Sequence, residues 1–264
     1  MTLRHVVLCA DDYGLSAAVS RGIRDLLAGR RLTATSCMVV HPEFASEGPL
    51  LVPFLGRADI GLHFTLTADR SATSLMRDAY LGRLDRAAIA RALERQLQIF
   101  TRVMGRAPDY IDGHQHVHLL PDVREPVVDA AQRIGVAVRS TRERIGLAMI
   151  ARPSPVEAAF LSWTATPLQM LLERRNIATN RGFRGVRTFR ETAPYRALFQ
   201  RMIADAQDGC LIMCHPGFAD AALAERDPIT RQREDELSYF ASDAFPRDLA
   251  EAGLVLSRLG DALA

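Results

Sequence analysis

Short apolar runs alternate along the chain with longer segments in which apolar residues recur every three or four positions. Short runs bounded by turn residues predict β-strands, and the three-to-four spacing predicts amphipathic helices. Strands are predicted over 5–10, 33–40, 59–67, 136–140, 210–215 and 254–257, and the segment 110–118 is predicted to be a strand end followed by a loop. Helices are predicted over 16–28, 86–104, 122–134, 155–175, 195–206 and 227–241. Ser16 is placed to cap the first helix, and Gly105 and Pro108 end the second.

This alternation of about seven strands with helices favours one parallel α/β domain over residues 1–264. A barrel and an open sheet covered on both faces both fit the order of elements, and we favour a distorted (β/α) TIM-like barrel. Two segments, near 71–84 and 176–190, are predicted to be loop insertions rather than domain linkers.

The amino-acid composition excludes several classes of function. All 33 basic residues are arginine, because the chain contains no lysine. Without lysine there is no internal aldimine to pyridoxal phosphate, no Schiff-base aldolase and no Walker-type lysine on a nucleotide phosphate. The formal net charge of +2 is spread along the chain, so no concentrated field for nucleic acid or membrane is predicted.

The cysteines and the N-terminal segment indicate a compartment. Cys9, Cys37, Cys210 and Cys214 lie in apolar stretches and form neither a CxxC pair nor a dense disulfide framework, which favours a reducing environment. The first 13 residues lack the long apolar region of a signal peptide, and no run of about 18 apolar residues follows. We therefore expect a cytoplasmic protein without an integral membrane segment.

Candidate chemistry is concentrated in four polar clusters, each of which directly follows an apolar strand-like run. They are Asp11-Asp12-Tyr13-Gly14, Gly61-Leu62-His63-Phe64, the segment 112–118 with sequence DGHQHVH, and His215-Pro216-Gly217. In parallel α/β folds, functional groups gather at the carboxyl ends of strands. The four clusters are therefore expected to converge on one site rich in Asp and His.

Asp and His together favour a divalent metal site with three protein ligands and open positions for water. In an extended backbone, Asp11 and Asp12 would point in opposite directions, so that one could bind metal while the other acts as a base. A fully extended 112–118 segment would crowd too many side chains on one face, so we expect the strand to end inside it. His114 is then the ligand at the strand end, with His116 and His118 near the ligands or the substrate.

Each of these motifs also has an ordinary structural explanation. An Asp-Asp pair before Tyr-Gly can be a turn and a helix cap, and His63 can be a hydrogen-bonded core histidine. Pro-Gly after His215 mainly indicates a turn. Arg139 could clamp a carboxylate or lie on the surface, and the arginine-rich segment 174–190 could be a solvated loop. The combination after four separate strands is what favours the metal site.

These residues resemble the YdjC-like carbohydrate deacetylases, also called the ChbG/HpnK family. The motifs that match are 10–16 (ADDYGLS), 61–67 (GLHFTLT), the segment 112–118 and 215–217 (HPG), in the family's order over about residues 6 to 217. Two departures are Tyr13, where Phe is more usual, and Gln115, which interrupts a run of His. The resemblance implies a distorted (β/α) barrel that uses a divalent metal ion to remove an acetyl group from an N-acetylated sugar.

The resemblance also implies the metal ligands and the base. By motif position, Asp12, His63 and His114 are similar to the metal ligands, and Asp11 is similar to the general base. Asp-His-His ligation suits Zn²⁺ or Co²⁺, while the resemblance keeps Mg²⁺ open, so one Mg²⁺ or Zn²⁺ ion is expected.

Further roles follow from motif position. His215 is similar in placement to a histidine that protonates the leaving amine, and Arg139 to an arginine that orients a catalytic carboxylate. Tyr13, His116 and His118 are assigned to the substrate, and the resemblance favours a homodimer. Two other functions stay open: a metal-dependent phosphoesterase and a metal-stabilised sugar-binding protein without turnover.

Overall fold

The central element of the fold is a ten-residue strand, β1 (Arg4–Tyr13), whose residues 6 to 13 are all buried. Burial on both faces is typical of parallel sheets covered by helices. The computed structural model describes residues 3–67 and 70–263. Within these ranges, no helix is long and apolar enough to cross a membrane.

Eight parallel strands form the sheet. The strands after β1 are β2 (Ala34–Cys37), β3 (Asp59–Phe64), β4 (Tyr110–Gly113), β5 (Ala137–Val138), β6 (Phe183–Arg184), β7 (Cys210–Cys214) and β8 (Leu254–Leu256). Their spatial order is β5-β4-β3-β2-β1-β7-β6, and β8 pairs with the start of β1. The predicted single α/β domain with a barrel-like parallel sheet is confirmed.

The two ends of this curled sheet, β5 and β6, are bridged by the chain segment that leads into β6. The Val138 amide donates to the Ala178 carbonyl at 3.0 Å. The side chain of Asn180 accepts from the Ser140 amide at 2.9 Å and donates to the Ser140 carbonyl at 2.8 Å. A side chain therefore completes part of the seam that a backbone ladder would close in a regular barrel.

Helices and short turns connect the strands. The helices are α1 (Ala17–Ala28), α2 (Phe44–Glu47), α3 (Ala72–Tyr80), α4 (Arg86–Met104), α5 (Arg124–Ile134), α6 (Leu147–Ile150), α7 (Pro155–Thr164), α8 (Thr166–Arg175), α9 (Tyr195–Ile203), α10 (Ala221–Arg226), α11 (Arg231–Ala241), α12 (Ala244–Glu251) and α13 (Leu259–Leu263). Two 3₁₀ segments cover Gly48–Phe54 and His114–Leu119. Ser16 caps α1 by accepting from the Val19 amide, and Gly105 ends α4 in the left-handed region, both as predicted.

Two expectations differ from the structure. The predicted helix over 155–175 is two helices, because Pro167 lies in the first turn of α8 and cannot continue a preceding helix. The segment 71–84 contains α3, which Ser71 caps, so it is not a bare loop. The segment 176–190 is irregular except for the two residues of β6.

The two faces of the sheet form two separate apolar clusters. Alternate residues of β1 divide between them: Val6, Leu8 and Ala10 pack under the helices, while Val7 and Cys9 face the barrel interior. The interior cluster also contains Tyr110, and α13 adds Leu259. The barrel interior is therefore filled below its carboxyl end, which leaves space for a site at that end.

Gly61 of β3 is required for this filling, and we predict that Gly61→Ala destabilises the fold. An added Cβ would lie 2.4 Å from ring atoms of Tyr110, whose hydroxyl group is 2.8 Å from Ser36 Oγ. Overpacking of this kind costs about 1–3 kcal/mol, measurable by urea unfolding. The control is Gly146→Ala, where nothing lies within 4 Å of the added Cβ. Equal stability of both variants would contradict the prediction.

Candidate active site

A cavity of about 270 Å³ opens at the carboxyl ends of the strands. Its lining residues come from all four polar clusters and from the segments 186–189 and 227–233. They are Asp11, Asp12, His63, His114, Gln115, His116, Val186, Arg187, Phe189, Met213, His215, Asp227, Pro228, Ile229 and Arg233. The predicted convergence of the clusters on one site is therefore present in the structure.

A bulge in β1 shapes the centre of this site. The pairing of β1 with β2 shifts register between Ala10 and Tyr13, and Asp12 has a φ of 70° in the left-handed region that Asp tolerates better than most residues. As a result, Asp11 and Asp12 both line the cavity. The expectation that an extended backbone separates them is wrong because the backbone is not extended at Asp12.

Asp12, His63 and His114 bring one potential ligand atom each to within 4.8 Å of one another. The distance from His114 Nδ1 to Asp12 Oδ1 is 3.0 Å, and the distance from His63 Nε2 to the same oxygen is 3.4 Å. Two imidazole nitrogens and one carboxylate oxygen form a donor set that suits a catalytic divalent cation. The three residues that the family resemblance assigned to the metal therefore lie together in the structure.

Asp112 holds His63 in this orientation. Asp112 Oδ1 lies 2.6 Å from His63 Nδ1, which turns Nε2 of the ring towards Asp12. Ser36 Oγ donates to Asp112 Oδ2 at 2.5 Å, and Arg139 Nη1 lies 2.9 Å from the same oxygen. A carboxylate behind a histidine is the usual device that fixes the orientation of a metal-binding ring.

These contacts set the charge of the metal-free site. Burial lowers the pKa of His63, but the carboxylates of Asp112 and Asp11 outweigh burial and raise it to about 10. Burial opposes ionisation of Asp112, yet Arg139 and His63 together lower its pKa to about 2. Without a cation, His63 is therefore protonated at neutral pH between ionised carboxylates.

Arg139 clamps Asp11 with two hydrogen bonds from a fully buried guanidinium. Nη1 donates to Oδ1 at 2.6 Å and Nη2 donates to Oδ2 at 2.9 Å. Burial would raise the pKa of Asp11, but Arg139 and then His63 lower it below its usual value. The structure contains a second group of possible metal ligands, formed by Cys9, Asp11 and Asp112. These side chains surround the guanidinium of Arg139, which already supplies the positive charge that a metal ion would bring.

The predicted end of the strand within 112–118 is present, since β4 ends at Gly113 and a 3₁₀ turn begins at His114. Gln115 and His116 have φ values of 51° and 59°, and this reversal places His116 in the cavity wall. His118 is fully buried, and its Nε2 lies 3.0 Å from the Arg139 carbonyl oxygen. It contacts the loop that carries Arg139 and not the cavity, contrary to its assignment to the substrate.

Tyr13 also lies outside the cavity wall, contrary to the expectation that it contacts substrate. Its buried hydroxyl donates to the Glu47 carbonyl at 2.6 Å and accepts from Arg24 at 2.9 Å. The register shift in β1 places its ring in the apolar cluster under the helices.

His215 also lines the cavity, directly after β7. Its backbone amide donates to Glu236 Oε2 at 2.6 Å, and the other oxygen of Glu236 accepts from Arg187 Nη2 at 2.7 Å. The His215 ring meets the ring of Phe189 edge to face, with centroids 5.5 Å apart. Burial is the main cause that lowers the pKa of His215, so the ring is mostly neutral at pH 7.

Two residues of α11, Arg233 and Glu236, belong to the site although the sequence analysis did not select them. Arg233 Nη2 donates to Asp12 Oδ2 at 2.6 Å, and the side chain is buried. Both residues are charged positions on a helix, where solvent exposure is the usual outcome. The signal that could have found them is their spacing of three, which places both on one face of the helix.

Comparison with known proteins agrees with this arrangement. A family model described as YdjC-like protein matches residues 5–251. The chain belongs to the YdjC-like family. A chitooligosaccharide deacetylase of Yersinia pestis is 27% identical over 274 residues, with 98% of each chain covered. A protein of the same name from Yersinia pseudotuberculosis has the same identity and coverage.

Solved structures with this fold are more distant in sequence. A protein of Enterococcus faecalis, described as a candidate cellobiose-phosphate cleavage protein, has a TM-score of 0.72 at 18% identity, over 98% of this chain and 99% of that one. A family 4 acetyl xylan esterase of Clostridium thermocellum, solved with a cobalt ion, has a TM-score of 0.53 at 11% identity, over 98% and 90%. The YdjC-like chain shares its fold with both.

We predict that neither His63 nor His118 titrates near pH 6.5 in the metal-free protein. His63 remains protonated up to about pH 10, and His118 remains neutral down to about pH 4, because burial and then Arg139 lower its pKa. The raised pKa of His63 stabilises the fold below pH 6.5, and this stabilisation is lost as the pH rises through about 10. NMR of the imidazole rings between pH 5 and 9 shows whether His63 or His118 changes its protonation state in this range.

The matched variant for this titration is Asp112→Asn, which removes the charge beside His63. The pKa of His63 should fall in this variant while His118 stays neutral. A His63 signal that titrates near pH 6.5 in the unsubstituted protein would disprove the proposed charge state.

Proposed function

We propose that this protein removes an acetyl group from an N-acetylated oligosaccharide and that it requires one divalent cation. The observation that carries the proposal is the placement of Asp12, His63 and His114 beside the clamped carboxylate of Asp11 in one cavity. The Yersinia relatives named chitooligosaccharide deacetylase make short chitooligosaccharides the first substrates to test.

The donor set fits the cation. Asp12, His63 and His114 would hold it, with Asp112 supporting His63 from behind. Two imidazole ligands favour Zn²⁺ or Co²⁺ over Mg²⁺, which prefers oxygen ligands. Bound there, a divalent cation supplies Lewis acidity towards the acetamide carbonyl oxygen and towards a water molecule.

Asp11 is the proposed general base. Its ionised carboxylate faces the cavity and accepts a proton from the water that attacks the acetamide carbon. Arg139 contacts both oxygens, so the carboxylate is held in one orientation and stays ionised at neutral pH. The arginine thus acts on the base and not directly on the sugar.

His215, which lines the same cavity, is the proposed proton donor to the leaving amine. This role requires the protonated ring, and burial lowers the pKa of His215 below 6.5. The competent fraction of the protein therefore falls as the pH rises above this lowered pKa. Glu236 fixes the backbone of His215 and so the position from which the ring reaches the amine.

Three variants separate the base from the cation ligands. Asp11→Asn should lose at least about a hundredfold in acetate release, within the usual range for a general base, yet keep its bound metal. His114→Ala should lose both metal and turnover, because it removes one of three ligands. His116→Ala is the matched control: it changes the next histidine of the same turn, outside the ligand group, and should keep its metal. Elemental analysis and acetate release from chitooligosaccharides measure the outcome.

The same samples test the other functions. Two or three metal ions per chain together with phosphatase activity would favour a phosphoesterase. Sugar binding that persists in Asp11→Asn, without acetate from any N-acetyl sugar, would favour a binding protein. Absence of specifically bound metal in the unsubstituted protein after resupply would refute the proposed metal dependence.

We also propose that the protein is a cytoplasmic homodimer. All four cysteines are buried free thiols, which suits a reducing compartment. Large apolar side chains of α6 and α7 are exposed, among them Leu147 at 86%, Val156 at 76% and Trp163 at 64%. A helix that is apolar around much of its circumference, as α7 is, normally has its outer face covered.

The homodimer predicts a defined loss of assembly. Leu147→Asp combined with Trp163→Asp should yield a monomer by size-exclusion chromatography with light scattering, because two charges would enter an apolar interface. Leu50→Asp, at an exposed apolar position in the 3₁₀ segment Gly48–Phe54, is the control and should remain dimeric. A monomeric unsubstituted chain would exclude the dimer, and a dimeric double variant would exclude this interface.

A further inference from the structure

Arg233 binds two carboxylates with one nitrogen atom. Its Nη2 donates to Asp12 Oδ2 and to Asp227 Oδ2, both at 2.6 Å. Its Nε donates to the Ile229 carbonyl at 3.1 Å, which fixes the guanidinium against the loop before α11. The side chain is 1% exposed, so water does not weaken these contacts.

This contact divides the two oxygens of Asp12 between different partners. Oδ2 is occupied by Arg233, while Oδ1 faces His114 Nδ1 at 3.0 Å and His63 Nε2 at 3.4 Å. We infer that Arg233 is a positioning residue that makes Asp12 a one-oxygen ligand of the cation. This inference rests on the proposed function, because it concerns how the same site holds its cation.

Compensation of the buried Asp12 charge does not by itself account for the way Arg233 is placed. Buried ion pairs contribute little net stability, since the loss of hydration offsets the attraction between the charges. The guanidinium is also incompletely satisfied, because its Nη1 is buried without a hydrogen-bond partner among the residues that the structure describes. What the contact does achieve is a fixed orientation of the Asp12 carboxylate.

One oxygen from Asp12 and one nitrogen from each histidine amount to three protein atoms. A catalytic cation with three protein ligands keeps positions open for water and substrate. An Asp12 carboxylate free to turn could offer both oxygens and fill one of those positions. Arg233 therefore preserves space for the reaction.

Arg233 also places a positive charge beside the cation site, while Asp227, which contacts the same Nη2 atom, places a negative charge next to it. Like charges repel across a buried distance of a few ångströms, so the arginine weakens cation binding as it orients the ligand. The two residues should thus have opposite effects on metal affinity. A residue that only supports the fold would weaken metal binding when it is replaced.

The experiment compares Zn²⁺ affinity, by competition with a chelator, in three variants. Arg233→Met should bind Zn²⁺ about tenfold more tightly and lose turnover. Asp227→Asn, which keeps an oxygen for the amide of Ile229, should bind Zn²⁺ a few-fold more weakly. Arg231→Met removes an exposed arginine two residues away on the same helix and should leave the affinity unchanged.

The visible absorption spectrum of the Co²⁺-loaded protein provides a second measurement, because it responds to coordination number and geometry. It should change in Arg233→Met and stay unchanged in Arg231→Met. Circular dichroism checks that each variant is folded. If Arg233→Met does not fold, the results for Asp227→Asn and Arg233→Lys test the inference instead. Arg233→Lys keeps the charge without the planar fork, so its affinity should stay close to the unsubstituted value while its spectrum changes.

Unchanged affinity and spectrum in folded Arg233→Met would overturn the inference, as would weaker Zn²⁺ binding in that variant. Unchanged or tighter binding in Asp227→Asn would also contradict it. If the unsubstituted protein binds no divalent cation, the proposed function fails first. A normal metal site that is indifferent to Arg233 rejects this inference alone.

Discussion

Three carboxylates buried at one end of a parallel sheet require compensating charge, and the rest of the site depends on that requirement. Asp11, Asp12 and Asp112 are each at most 1% exposed, a position in which an unpaired charge is very costly. Arg139 forms ion pairs with Asp11 and Asp112, and Arg233 forms one with Asp12. The two arginines lie in distant parts of the sequence, so the balance of charges depends on the tertiary fold.

Because of this requirement, the inner and outer parts of the site are built from different kinds of residue and segment. In the inner part, Arg139 holds the Asp11 carboxylate in the cavity wall, while Ser36 and Arg139 hold Asp112 behind His63, whose ring it orients. The outer wall, with His116, Phe189 and His215, belongs to turns and irregular segments. Charged residues on strand ends beneath a wall of turns and loops are typical of barrels, in which the loops at this end carry much of the binding surface.

The sequence predicted the alternation of strands and helices, the parallel sheet and the convergence of the four polar clusters, because strand ends in such sheets meet at one edge. The choice of Asp12, His63 and His114 among the clustered residues came from the resemblance to the YdjC-like family. It could not predict the left-handed backbone at Asp12, since a bulge depends on the neighbouring strand. It also could not show that Tyr13 and His118 turn away from the cavity. Arg233 and Glu236 were missed because the burial of a charged residue on a helix depends on its partners in the fold. Arg233 contacts Asp12, more than 200 residues away in the chain, and Glu236 contacts the amide of His215, 21 residues away.

The seam between β5 and β6 is held together differently from the rest of the barrel wall. Around most of the circumference, successive strands are locked by ladders whose register cannot slip without turning side chains to the wrong face. At the seam, the Asn180 amide and one backbone bond take the place of a ladder. Fewer hydrogen bonds therefore hold the barrel wall along this line than along the ladders, so the seam is the line at which opening the wall breaks the fewest of them.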